Sequence, residues 1–100
     1  MSENYHLLGR QIAAARTLIG LSQTDLASAA NISIATLRRM EGSEGAATGY
    51  ANNVAAVRAA LEARGVIFVE ENGEGPGVRL KKQRGNGSIA PDDLNASNDE

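Results

Sequence analysis

Two adjacent arginines, Arg38 and Arg39, are the side chains of this sequence best suited to a specific chemical task. A guanidinium group binds phosphate oxygens through paired N–H donors and also matches the guanine edge in the major groove of DNA. With about 100° between successive helical residues, Leu37 and Met40 share one direction, and Ala35 and both arginines point roughly the opposite way. The pattern predicts an exposed cationic helix face that contacts DNA. The alternative interpretation is an ordinary solvated helix surface.

The residues from 22 to 42 indicate two short helices joined by a tight turn. Ser22 and Ser33 are suited to cap the two helices, and Asp25 complements the positive end of the first. Asn31 falls in the turn, where a positive φ is expected and asparagine tolerates it better than most residues. The apolar face of the first of these two helices consists of Leu26, Ala27 and Ala30, and Ile32 packs the turn against the core.

Residues 12–61 resemble the helix-turn-helix domain of Cro/CI-type regulators, also called the XRE family. The matching positions lie in RTLIGLSQTDLA at 16–27 and NISIATLRRMEG at 31–42. The resemblance implies a mainly α fold, a compact lambda-repressor-like domain of four to five helices. It also implies binding to double-stranded DNA, with a recognition helix at about 34–41 in the major groove. We expect a homodimer on a palindromic operator.

The resemblance also implies roles for individual residues. Gln23, at the start of the preceding helix, would contact the DNA backbone, and Arg16 would pair with Glu41 to hold the first and third helices together. Thr36 or Ile34 would be able to touch a thymine methyl group. The expected DNA-binding residues are Gln23, Ser33, Ile34, Ala35, Thr36, Arg38 and Arg39.

The loop after Gly42 departs from the family pattern, because it holds no lysine or arginine and carries Glu44. Family members often place DNA-backbone contacts in this loop. Here we expect such contacts from the backbone amides near Thr48 and Gly49, as at other helix N-termini. Phosphate would repel Glu44, which predicts modest affinity.

The rest of the chain divides into three parts. Residues 1–65 form the predicted helical domain, with a first helix from about Tyr5 to Ile19 and a fourth from about Gly49 to Arg64. Residues 66–82 predict a C-terminal β-hairpin, since two apolar runs flank the turn sequence NGEGPG. The hairpin either supports dimerisation or packs on its own helices. Residues 83–100 predict a disordered acidic tail. The core positions expected in the two helices are Leu8, Ile12, Ala15, Leu18 or Ile19, then Tyr50, Val54, Val57 and Leu61.

The charges are unevenly distributed. The chain has a formal net charge of −2, but all ten basic residues and eight of the twelve acidic ones lie in residues 1–84, which therefore carry +2. This weak excess predicts a local DNA-binding patch rather than a uniformly basic surface. Arg79, Lys81, Lys82 and Arg84 either join that patch or form a charged strand edge that blocks aggregation. The acidic tail would compete with DNA for the patch.

Other classes of function have little support in the sequence. There is no cysteine, His6 is the only histidine, and no nucleophile–base pair or metal-ligand spacing occurs. We therefore expect no enzyme activity, no cofactor and no small-molecule ligand. The absence of a signal peptide or a long apolar run predicts a cytoplasmic protein that does not contact membranes. The rival hypothesis is a protein-interaction module, an antitoxin or anti-regulator, that would bind its partner through hairpin residues such as Phe68 or Val69.

Overall fold

The computed structural model describes residues 6–82. Its elements are α1 (Gly9–Leu18), α2 (Gln23–Ala30), α3 (Ile34–Glu41), α4 (Ala51–Glu62), β1 (Val66–Val69) and β2 (Gly77–Leu80). The predicted mainly helical architecture with a C-terminal antiparallel hairpin is confirmed. Tyr5, Arg84 and the acidic tail, with its predicted competition for DNA, lie outside the described residues.

The predicted caps and turn residues are confirmed. The Ser22 hydroxyl accepts the Asp25 amide at 3.0 Å, and the Ser33 hydroxyl accepts the Thr36 amide at 3.0 Å. Asn31 ends α2 at φ 60°, ψ 45°, in the left-handed region. A short polar side chain is one of the few that adopt this conformation at low cost, so the turn forms without glycine.

The core lies where the four helices meet the inner face of the hairpin. Its members are Leu7, Ile12, Ala15, Leu26, Ala27, Ala30, Leu37, Met40, Val57, Ala60, Leu61, Val66 and Phe68, all less than 9% exposed. α1 approaches α3 closely at Gly9, where a Cβ atom would collide with the carbonyl oxygen of Met40. Only glycine permits this contact without a shift of the backbone.

One core assignment made from the sequence is wrong, and the alternative between Leu18 and Ile19 is decided in favour of Ile19. Tyr50 is 79% exposed. It is the residue immediately before α4 and has an extended backbone, so its side chain does not lie on the apolar stripe of the helix. Leu18 is 46% exposed, whereas Ile19, the alternative at that position, packs against the core. Leu8 and Val54 are only half-buried.

The hairpin packs on its own helices. Val66 pairs with Leu80 and Phe68 with Val78, and the buried Val66 and Phe68 join the helical core. The buried amide of Gln11 donates to the carbonyl oxygens of Val69, at 3.4 Å, and Gly77, at 2.9 Å, which ties α1 to both strands. The packing alternative is therefore observed, and a dimer contact through the hairpin would have to use another of its surfaces.

None of the helices in residues 6–82 combines the length and the apolar character needed to cross a membrane.

Candidate nucleic-acid interface

The exposed side of α3 carries both arginines. Leu37 and Met40 are fully buried on the inner side, whereas Ala35, Arg38 and Arg39 are exposed on the outer side. The orientation predicted from helical spacing is thus confirmed. The outer side therefore carries two guanidinium groups, and the small Ala35 precedes them near the N-terminus of α3.

Four polar side chains form a continuous hydrogen-bonded chain from α1 to this surface. Arg16 donates twice to Glu41, from Nε to Oε2 at 2.7 Å and from Nη2 to Oε1 at 3.1 Å. Gln23 then donates from Nε2 to Glu41 Oε1 at 3.0 Å. Arg38 Nε donates to Gln23 Oε1 at 3.3 Å. The pairing of Arg16 with Glu41 that the resemblance implied is present, and it extends to one of the exposed arginines.

The environment of the Arg16–Glu41 pair makes it a structural contact. The Glu41 side chain is only 7% exposed and the Arg16 side chain 20% exposed. Arg16 Nη1 also donates to the carbonyl oxygen of Leu21 at 3.0 Å, in the link between α1 and α2. A carboxylate with so little contact to water depends on these donors for its stabilisation. The pair fixes α1, α2 and α3 relative to one another.

Gln23 acquires a role that the sequence alone did not indicate. Its carbonyl oxygen accepts from Arg38, and its amide nitrogen already donates one hydrogen bond to Glu41. An amide nitrogen carries two N–H groups, so this contact uses only one of them. Gln23 therefore connects the buried Glu41 to the exposed Arg38.

A second network lies at the N-terminus of α3. The Ser33 hydroxyl donates to Thr36 Oγ1 at 2.9 Å, and Arg39 Nη2 donates to the same oxygen at 3.4 Å. A hydroxyl oxygen has two acceptor sites and one donor, so these two contacts use the acceptor sites of the Thr36 oxygen and not its proton. Ile34 is half-buried against the core, which leaves Ala35 as the most exposed apolar contact.

The loop after α3 differs from the expectation. The Thr48 amide donates to the Ser43 hydroxyl at 3.0 Å, so this amide is not available to a phosphate. Ser43 in turn donates to the carbonyl oxygen of Arg39 at 3.1 Å, which fastens the loop to the end of α3. Gly49 is exposed at φ 120°, and Glu44 is exposed as expected. The sequence missed the Ser43–Thr48 contact because a five-residue separation in a loop has no periodic signal.

The hairpin cations lie on separate elements from the α3 arginines. Arg79, Lys81 and Lys82 are exposed on or after β2, and the hairpin packs on α1 and α4, whereas α3 packs on α1 and α2. The structure therefore places the two groups of cations on different elements of the fold. The sequence analysis also did not single out Gln11. The role of its buried amide depends on carbonyl oxygens of the two strands, which are distant from it in the sequence.

His6 is exposed and lines a cleft of about 420 Å³ between the N-terminal segment and α4. Arg58 lines the same cleft, and its guanidinium lies 5.4 Å from the centre of the Phe68 ring and 3.0 Å from Glu62 Oε2. The remaining lining residues are Leu7, Ala46, Ala47, Gly49, Ala51, Val54 and Ala55. Neither a nucleophile nor a carboxylate is among them, so the cleft does not assemble an acid–base pair.

A comparison of the sequence with models of known protein families finds no match, and a comparison with curated proteins finds none either. The residues and contacts of this chain therefore carry the functional assignment.

Proposed function

We propose that the chain is a sequence-specific DNA-binding regulator with a lambda-repressor-like helix-turn-helix domain of the Cro/CI, or XRE, type, and that it acts as a homodimer on a palindromic operator. The observation that carries the proposal is the outer side of α3. Arg38 and Arg39 are exposed there while Leu37 and Met40 of the same helix are fully buried. This orientation presents an arginine-bearing helix to a partner with phosphates and base edges.

The dimensions of α3 fit the major groove. Eight helical residues span roughly 12 Å, and the groove admits one α-helix. In this arrangement Arg38 and Arg39 bind guanine edges or phosphates, and Thr36 donates its hydroxyl proton to a phosphate or base acceptor. Ala35 allows close approach and offers its methyl group to thymine.

The network behind α3 supports binding by ordering an arginine before DNA arrives. An exposed arginine loses rotamer freedom when it binds, and the hydrogen bond from Arg38 to Gln23 removes part of that cost in advance. Gln23 is itself held by Glu41. Arg38 is therefore more ordered than a free surface arginine.

Replacing Gln23 with leucine is expected to weaken operator binding by roughly 1 kcal/mol, about fivefold, because Arg38 loses its acceptor and a backbone contact is lost. The same change in a chain that already carries Arg38→Ala is expected to have a smaller effect, since the two residues act together. A double-mutant cycle on operator affinity measures the coupling. Equal losses in both backgrounds would show that Gln23 acts independently of Arg38.

In the rival function, a protein-interaction module, one of the hairpin residues expected to contact the partner is buried. Phe68 is 7% exposed and packs in the core, so it is not available to a partner. The observation that favours this second candidate is Tyr50, which is 79% exposed beside the cleft-lining residues Gly49 and Ala51. A partner protein would bind there rather than on the inner face of the hairpin.

Salt dependence distinguishes the two functions. For a DNA-binding domain, the logarithm of the association constant is expected to fall linearly with the logarithm of salt concentration, by about 0.9 per phosphate contact. Fluorescence anisotropy with labelled duplexes measures this slope. A DNA-binding protein is expected to show a strong negative slope, set by the number of phosphates it contacts. A folded protein that binds no duplex at low salt would contradict the proposed function and favour the interaction module.

A further inference from the structure

The turn of the hairpin contains an asparagine followed by a glycine. Asn72 and Gly73 lie between β1 and β2 and are both exposed. Within residues 6–82, no hydrogen bond restrains the side-chain amide of Asn72. A side-chain amide that can rotate brings its Cγ atom close to the backbone nitrogen of the next residue, and a glycine there has no Cβ atom to obstruct the approach. The turn therefore holds the two groups that an intramolecular cyclisation needs.

The other asparagines of the described chain lack this arrangement. The nitrogen of the residue after Asn31 donates to the carbonyl oxygen of Ala27 at 3.0 Å. The nitrogens of the residues after Asn52 and Asn53 both donate to the carbonyl oxygen of Tyr50, at 2.9 and 3.1 Å, in the first turn of α4. Each of these nitrogens belongs to a residue with a side chain and is fixed by a backbone acceptor. None of them is placed to attack the amide that precedes it.

The Gly73 amide has a different acceptor, the carboxylate of Glu71. Gly73 N donates to Glu71 Oε2 at 2.9 Å, and both residues are exposed. A general base has to lie within hydrogen-bond reach of the proton that it takes, and this carboxylate meets that condition. The hydrogen bond increases the electron density on the Gly73 nitrogen and gives its proton an acceptor while the nitrogen attacks. Glu71 is therefore placed to assist the cyclisation.

We propose that Asn72 is a site of spontaneous covalent modification, in which its side-chain amide is lost and Glu71 serves as the proton acceptor. A bond forms between Gly73 N and Asn72 Cγ, and the bond between Cγ and Nδ2 breaks. The proton of the Gly73 amide passes through Glu71 to the departing Nδ2 group, which leaves as ammonia. One water molecule then opens the cyclic imide, at Cγ to give aspartate or at the backbone carbonyl carbon to give isoaspartate.

The modification changes both the length and the charge of the turn. In isoaspartate the main chain runs through the side-chain carbon, which lengthens the backbone between Val69 and Gly77 by a methylene group. The carbonyl oxygens of these two residues accept the buried Gln11 amide, at 3.4 and 2.9 Å. Either product also adds a carboxylate to a turn that already contains three glutamates. The isoaspartyl chain is therefore expected to hold its hairpin on α1 less firmly.

A time course of the full chain at mildly alkaline pH tests the proposal. Peptide mass spectrometry follows the gain of about 1 Da that accompanies loss of the amide, and chromatography separates isoaspartyl from aspartyl peptides of equal mass. Both products are expected at residue 72 before any change at Asn31, Asn52 or Asn53. Conversion at residue 72 no sooner than at these three asparagines would overturn the proposal.

Glu71→Gln is the matched variant, because the glutamine oxygen still accepts the Gly73 hydrogen bond but does not act as a base. It is expected to slow the loss of the Asn72 amide at least about threefold. Asn86 also precedes a glycine and lies outside the described residues, so it is the internal reference and is expected to react at the same rate in both chains. Circular dichroism checks that the variant is folded. An unchanged or faster reaction of Asn72 in the variant would overturn the role given to Glu71, and an Asn72 that keeps its amide after Asn86 has lost its own would overturn the site.

The effect on the fold is measured on the product itself. The isoaspartyl chain, separated by ion exchange, is expected to unfold at a lower urea concentration than the unmodified chain. Equal midpoints would refute the expected weakening of the hairpin. None of these measurements involves DNA, so their outcome is independent of the function proposed for α3.

Discussion

Replacing Glu41 with leucine is expected to lower the free energy of unfolding by about 3 kcal/mol. The change leaves the guanidinium of Arg16, which is 20% exposed, without its two hydrogen bonds to the carboxylate. It also removes the acceptor for the Gln23 amide. A largely buried charge without a partner is costly, and the cost appears as lost stability. Urea denaturation followed by circular dichroism measures it.

The double variant Arg16→Met/Glu41→Leu is the matched control. Replacing both charged partners with apolar side chains of similar volume removes the unpaired charge, so much of the stability is expected to return. The Gln23 amide is then still without Glu41, which limits the recovery. A loss below about 1 kcal/mol for Glu41→Leu alone would show that the pair behaves as an ordinary surface salt bridge.

Replacing both Arg38 and Arg39 with alanine is expected to weaken operator binding by about 2 to 6 kcal/mol, from roughly 1–3 kcal/mol for each arginine. Both side chains are exposed and outside the core, so the free energy of unfolding is expected to change little. Affinity measured at constant salt on the preferred duplex, with a denaturation curve for each variant, separates binding from folding.

Arg10→Ala is the control for lost charge. Arg10 is exposed on α1 and lines a small cleft with Pro76 and Val78 at the hairpin. Arg10→Ala removes one positive charge from a helix other than α3, and we expect less than a threefold change in operator affinity. Equal effects of Arg10→Ala and Arg38→Ala would mean that only the total charge matters and would refute the role given to α3.

Local patterns gave the predictions that the structure confirms. Each of these features depends on residues within three or four positions of each other. They are the caps at Ser22 and Ser33, the left-handed turn at Asn31, and the burial of Leu37 and Met40. Such features follow from helix periodicity and capping chemistry alone.

The errors arose where a contact or boundary depends on the rest of the chain. The apolar spacing placed Tyr50 on the α4 stripe, but the helix begins after it and the ring stays in water. The Thr48 amide was expected to be free for a phosphate, but in the folded loop it donates to the Ser43 hydroxyl. The sequence also left two roles open for the hairpin, because nothing local shows that Gln11 will reach the carbonyl oxygens of Val69 and Gly77.

The most direct test of the central claim is selection from a pool of random DNA duplexes at moderate salt, followed by sequencing of the bound fraction. The proposed function predicts an enriched motif, a palindrome whose half-sites lie about one helical turn apart. The Arg38→Ala/Arg39→Ala variant, carried through the same selection, is expected to lose the motif. A folded wild-type chain that enriches no sequence would contradict the assignment of this protein as a sequence-specific DNA-binding regulator.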